Sequence, residues 1–135
     1  MRILTTFALI LGLAACQTTV NPQTEASPEL ARAIDAAVVN WEGRAGESLN
    51  RNILVRGSSR NGNTHIIQLE ARDRLAEATR SLPRNQLATL VEQDLRRDFC
   101  ANPDQRVLID LGGRLEIQFI DQIGRQLFKV LIDRC

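Results

Sequence analysis

Residues 115–133 read LEIQFIDQIGRQLFKVLID, and this stretch decides the fold. Leu115, Ile117 and Phe119 alternate with Glu116 and Gln118, the period-two pattern of a half-buried strand. Asp121-Gln122-Ile123-Gly124 supplies a turn. Gln126 to Asp133 then returns, with Phe128, Val130 and Ile132 on one face and Leu127 and Leu131 on the other. This is a β-hairpin with one continuous apolar face. A lone hairpin is marginal in water, so it needs further strands or helices to bury that face.

Upstream, Asn102-Pro103-Asp104 forms an N-cap, N1 and N2 set for a short helix to about Leu111, ended by Gly112-Gly113. Pro83 opens a longer helix over 83–99, with Leu87, Leu90, Val91, Leu95 and Phe99 as its apolar stripe. Arg72 to Leu82 is charged, with Leu75, Ala78 and Leu82 at loosely helical spacing, and reads as a loop or short helix. His65 to Ala71 reads as a strand with Ile67, Leu69 and Ala71 on one face. It pairs across a turn cluster over 57–63, where Asn61-Gly62 suits positive φ, with a β-like run carrying Leu49, Ile53 and Val55. Ser27, Pro28 and Glu29 begin a helix over about 28–42 carrying Leu30, Ile34, Val38 and Trp41, stopped near Gly43 and Gly46. The order is helix, two strands, helices, two strands. The expected architecture is α+β: an antiparallel four-stranded or five-stranded sheet from two hairpins, with helices packed on one face.

The chain has 135 residues, 17 basic and 16 acidic side chains and one His, so it is close to neutral. That length fits one domain with a tail. The charge balance argues against an electrostatic nucleic-acid binder, which needs a basic excess. With four Phe, one Trp and no Tyr, stacking platforms for bases or sugars are scarce. The basic residues are sixteen Arg and the single Lys129, scattered among the acids as a solvated surface.

Residues 1–16 read MRILTTFALILGLAAC. Arg2 gives a positive n-region, and the apolar run after it is shorter than the roughly 20 residues of a membrane-spanning helix. Leu13-Ala14-Ala15-Cys16 matches a bacterial lipobox, in which the Cys thiol accepts diacylglycerol. The reading is a lipoprotein signal peptide over 1–15, a lipidated Cys16 with a flexible polar tether over 16–27, and one α+β domain over 28–135. Gln17, in place of an inner-membrane-retaining Asp, favours a lipid-anchored place on the outer membrane, facing the periplasm. Two or three acyl chains make a stable anchor. With Cys16 lipidated, Cys100 and Cys135 remain, and an oxidising compartment pairs them in a structural disulfide.

No G-x-S-x-G, H-E-x-x-H, P-loop or dinucleotide fingerprint occurs, and no enzyme activity, cofactor, metal or small-molecule substrate is expected. His65 lies beside Ser58 and Ser59 on the first hairpin, but strand geometry does not obviously converge them and no third group is implied. Asp94 and Asp98 share a helix face and are expected to meet Arg97 and solvent. One feature resists a bland account: the last strand is apolar on both faces. The sheet face away from the helices must be covered by the chain or by a partner. Leu54, Ile66, Ile120, Leu127 and Leu131 are the off-face candidates for a partner groove.

The segment FCANPDQRVLIDLGGRLEIQFIDQIGRQLFKVLIDRC carries Cys100, Asn102, Arg106, Gly112, Asp121, Gly124 and Cys135. That spacing, with Arg56-Gly57-Ser58-Ser59 and Gly62 in the first hairpin and a lipobox followed by a tether, resembles the AspS-type pilotins of type II secretion systems. The resemblance covers about residues 49–135; Arg72–Pro83 is more charged than that pattern, and Tyr is absent. It implies a docking protein that binds the C-terminal segment of the secretin, the outer-membrane channel, and directs its localisation and assembly there. In it Cys100 and Cys135 form the staple, Gly112 ends a helix, Gly124 makes a turn and Arg106 pairs or caps. The alternative is a structural or accessory periplasmic lipoprotein of another envelope assembly.

Overall fold

Ser27 starts the first helix by accepting the Leu30 N–H on its hydroxyl at 3.2 Å, with Pro28 at N1 and Glu29 in the first turn. The computed structural model describes residues 25–135; the signal peptide, Cys16 and most of the tether lie outside the described residues. The elements are α1 (Pro28–Glu42), β1 (Ser48–Asn50), β2 (Ile53–Asn61), β3 (Thr64–Ala71), α2 (Asp73–Ser81), α3 (Arg84–Ala101), α4 (Pro103–Asp110), β4 (Arg114–Ile120) and β5 (Gln126–Ile132). Asn102 caps α4 as expected, accepting from the N–H groups of Asp104 and Gln105. The charged stretch after Ala71 is a helix, α2, with no side-chain cap at its start and no buried residue.

One sheet runs in the order β1-β2-β3-β4-β5. It has five strands because the early apolar run breaks at Arg51-Asn52, where Asn50 Oδ1 accepts the Asn52 N–H at 2.8 Å and turns the chain. The expectation of an antiparallel sheet is corrected: β1–β2, β2–β3 and β4–β5 are antiparallel, but β3 and β4 run parallel, Ile67 beside Ile117 and Leu69 beside Phe119. The cause is the connection. Three helices carry the chain from the end of β3 back to its beginning, and such a crossover makes the next strand parallel.

The helices supply Leu30, Ile34, Ala37, Trp41, Leu87, Phe99 and Leu108 to one core. The strands meet them with alternate residues, among them Val55, Ile67, Leu69, Leu115, Ile117, Phe128 and Val130. Phe119 and Phe128, directly opposite on β4 and β5, stack at 4.5 Å, and Trp41 of α1 stacks on Phe99 of α3 at 5.7 Å. The α3 stripe is narrower than expected. Leu87, Val91, Leu95 and Phe99 follow an i, i+4 line into the core, whereas Leu90 is 65% exposed. Cys100 at the end of α3 is bonded to Cys135, with Cα atoms 5.7 Å apart and a sequence separation of 35. Closing a loop of that size stabilises the fold by roughly 3–4 kcal/mol in the chain-entropy view.

Gly113 lets α4 close on the sheet. A Cβ there would sit 2.6 Å from Leu108 Cδ2, 2.8 Å from the Leu108 carbonyl oxygen and 2.8 Å from Leu30 Cδ1. The carbonyl cannot swing away as a side chain can. Gly113→Ala is therefore expected to destabilise the chain by about 1–3 kcal/mol, read as a lower urea midpoint at unchanged slope.

Candidate functional site

The open face of the sheet is where the sequence placed its candidates. Cross-strand register sets Ile66 beside Glu116 and Glu116 beside Leu131, and Leu54 beside Glu70 and Glu70 beside Ile120. Between these two apolar rows runs a polar ladder. Gln68 donates to Gln118 at 3.2 Å, Gln118 donates to Glu116 at 2.7 Å, and Lys129 donates to Glu116 at 3.1 Å. Burial pushes the Glu116 carboxyl up, but the bonds from Gln118 and Lys129 outweigh it and hold the group below its usual range. Leu54, Ile66 and Leu127 are half-buried, Ile120 is buried, and Leu131 is 44% exposed. Leu54, Ile66, Ile120 and Leu131 lie on the open sheet face, divided by this ladder, whereas Leu127 packs against the core. Leu127 is the extra residue of a bulge that shifts register between Phe119 and Ile120, and it lines a cleft at the end of the sheet.

An apolar concavity lies instead on the helix side. Ile53, Leu75, Val91, Leu95 and Phe119 line a groove of about 320 Å³ between the β1–β2 turn, α2 and α3. Asn52 also lines it, and its Oδ1 is buried without a hydrogen-bond partner. A buried acceptor without a partner costs about 1–3 kcal/mol. Asp94 and Asp98 stand on the rim, both bridged by Arg97 at 3.0 and 3.4 Å as the sequence suggested. Sequence reading missed this groove. Its only local signal is the Asn50-Arg51-Asn52 turn, and the rest needs α2 folded beside α3.

The structure also brings Ser58 and His65 together, against the expectation that strand geometry would not. Ser58 Oγ lies 2.7 Å from His65 Nε2, and Gln105 Oε1 lies 3.3 Å from Nδ1. These partners assign the proton to Nδ1, so Nε2 accepts from the serine hydroxyl. The Ile66 carbonyl, at 3.1 Å, is that hydroxyl's alternative acceptor. The chain resembles a Ser–His arrangement in outline, but His65 is wholly buried and the third member is a neutral amide. Neither concavity is lined by Ser58 or His65. A neutral amide cannot stabilise an imidazolium as a carboxylate does. The network ties β2, β3 and α4 together. Among the described residues there is no group of three or more His, Cys, Asp or Glu able to hold a metal, and no helix is long and apolar enough to cross a membrane.

No family model and no curated protein matches the chain. Solved structures do. A Pseudomonas aeruginosa protein described as secreted shares the fold at a TM-score of 0.65 and 24% identity, over 78% of this chain and 89% of that one. The EpsS pilotin of the Vibrio vulnificus type 2 secretion system matches at a TM-score of 0.51 and 17% identity, over 78% and 93%. The type II secretion pilotin AspS of Vibrio cholerae matches at 0.46 and 20%, over 76% and 94%. At these identities the likeness to the Pseudomonas aeruginosa protein and to the EpsS pilotin is one of fold.

Two predictions follow from the buried groups. Burial lowers the His65 pKa below 6.5, with the Gln105 bond working against it. Below pH 6.5 the unfolded chain binds a proton that the folded chain does not. Stability therefore rises with pH through this window and is lost as pH falls from 6.5 through the folded value. Urea unfolding between pH 7 and 5.5 should show a slope of at most about 1.4 kcal/mol per pH unit that is absent in His65→Asn. Asn52→Leu, which removes the orphaned acceptor, should leave stability unchanged or raise it by about 1 kcal/mol, measured by the same unfolding curve.

Proposed function

We propose that the chain is an outer-membrane lipoprotein that binds the C-terminal segment of a type II secretion secretin and directs its localisation and assembly. Lipid on Cys16 is the anchor, the polar stretch over 16–27 is the tether, and the domain over 28–135 carries the docking surface. The observation that carries this reading is the apolar groove beside α3, with its orphaned Asn52 acceptor, in a fold shared with the EpsS pilotin. Support also comes from the lipobox at Leu13–Cys16 and from Gln17 after it. The groove suits an amphipathic segment that sets apolar side chains against Ile53, Val91 and Leu95. The tail would be disordered alone and order on binding, so its affinity reflects how much apolar surface it buries after that cost. The reaction is recognition and delivery, with no bond made or broken. The open sheet face is a second docking surface, favoured by the exposed Leu131 in one row with Ile66, and by Leu54 and Ile120 in the row beyond the polar ladder.

Calorimetric titration of the lipidated chain in detergent against C-terminal segments of the host's secretins tests both. One-to-one saturable binding to one tail is expected, weakened at least about tenfold by Val91→Asp and little changed by Leu131→Asp. The reverse ranking moves the docking surface to the open face. Absence of binding to every secretin tail by a folded, disulfide-intact chain overturns the reading in favour of an accessory lipoprotein of another envelope assembly.

A further inference from the structure

A second concavity, of about 670 Å³, lies on the other side of α2, at the end of the sheet where the parallel strands β3 and β4 stop. Four guanidinium groups line it, delivered by separate parts of the chain: Arg51 from the β1–β2 turn, Arg72 from the β3–α2 junction, Arg80 from α2 and Arg125 from the β4–β5 turn. Two carboxylates, Asp73 and Asp121, also line it. Asp121 is already committed. Arg125 Nε donates to it at 2.8 Å, and the N–H groups of Ile123 and Arg125 donate to its other oxygen. Arg72 shares the buried Glu70 with Arg56, at 3.2 and 3.1 Å, so two cations face one acid there. Arg51 and Arg80 have no ion-pair partner among the described residues. In a chain whose total charge is near zero, this cleft is locally cationic.

We infer that this arginine-lined cleft is a binding site for an acidic peptide segment of a partner protein, separate from the apolar groove. Guanidinium groups take carboxylates in paired, planar hydrogen bonds, and several of them in one concavity suit successive carboxylates on one chain. The volume is that of a site for an extended ligand rather than for one small anion. The chain enters α1 at the opposite end of the sheet: Leu30 lies against Gly113 at the start of β4, and the Ala31 carbonyl accepts from Arg60 near the β2–β3 turn at 3.4 Å. A seven-residue strand such as β4 separates those ends by roughly 23 Å. The cleft and the entry into α1 thus lie at opposite ends of the sheet. The site does not depend on secretin binding and survives the failure of that reading.

The test is a titration of the lipidated chain in nonionic detergent with a hexaglutamate peptide and, separately, with soluble dihexanoyl-phosphatidylglycerol. Hexaglutamate should bind saturably, more weakly as salt rises, and about tenfold more weakly to the Arg51→Gln/Arg80→Gln variant, the loss expected for two exposed ion pairs. Thr79→Glu, which adds a carboxylate beside the cleft, should act in the same direction, with an unchanged melting temperature showing that both variants are folded. Equal affinity in wild type and variants, or no binding of hexaglutamate, overturns the site. Binding of the phosphatidylglycerol alone overturns the peptide occupant and makes the cleft a membrane contact.

Discussion

The parallel pairing of β3 with β4 is the constraint on which the rest of the molecule depends. β3 and β4 are the middle and fourth strands of the sheet, and every helix except α1 lies in the connection between them. That connection has to return the chain to the start of β3, so its helices cover the sheet. They all pack on one side, together with α1, because one apolar face per strand is available to them. The other face is left to the ladder of Gln68, Gln118, Glu116 and Lys129. The same pairing brings the ends of β3 and β4 together, which is why both concavities open at that pole.

The disulfide and Gly113 close this arrangement from opposite directions. Cys135 follows β5, an edge strand, and its bond to Cys100 fixes that edge to the α3–α4 corner. At Gly113 the missing side chain admits Leu108 and Leu30, so α4 and α1 approach the start of β4. His65 adds a polar tie at the same level, since Gln105 on α4 reaches its ring. A buried imidazole satisfied at both nitrogens is a stabilising feature only while it stays neutral, which makes this tie the acid-sensitive part of the core.

Much of this was legible from the chain because it is local. Caps at Ser27 and Asn102 act over three residues, and the two hairpins announce themselves by alternation around Asn61-Gly62 and Asp121–Gly124. What was not legible depends on register or on distant packing. Alternation counted from Val55 puts Gly57 and Ser59 on the core face. The bulge at Arg56 moves Ser58 there instead, opposite Ile67, and so brings it to His65. The parallel pair was missed because strand patterns say which face is buried, not which edges meet. The connection rule would have supplied it. The polar ladder that runs among the candidate residues of the open face arises from three strands in register. The apolar groove needs α2 beside α3, and α2 has the weakest sequence signal in the domain.

That weakness is itself informative about the two concavities. α2 separates the apolar groove, which takes Leu75 from it, from the arginine-lined cleft, which takes Asp73, Ala76 and Arg80. It has no capping side chain, it buries no residue fully, and its first residue, Asp73, sits at a φ of 43°, in the left-handed region. Asp tolerates that region better than most residues, but it is not a restful conformation. An element held so lightly opens at lower cost than the core around it. Residues of α2 line both concavities, so this helix is the wall they share.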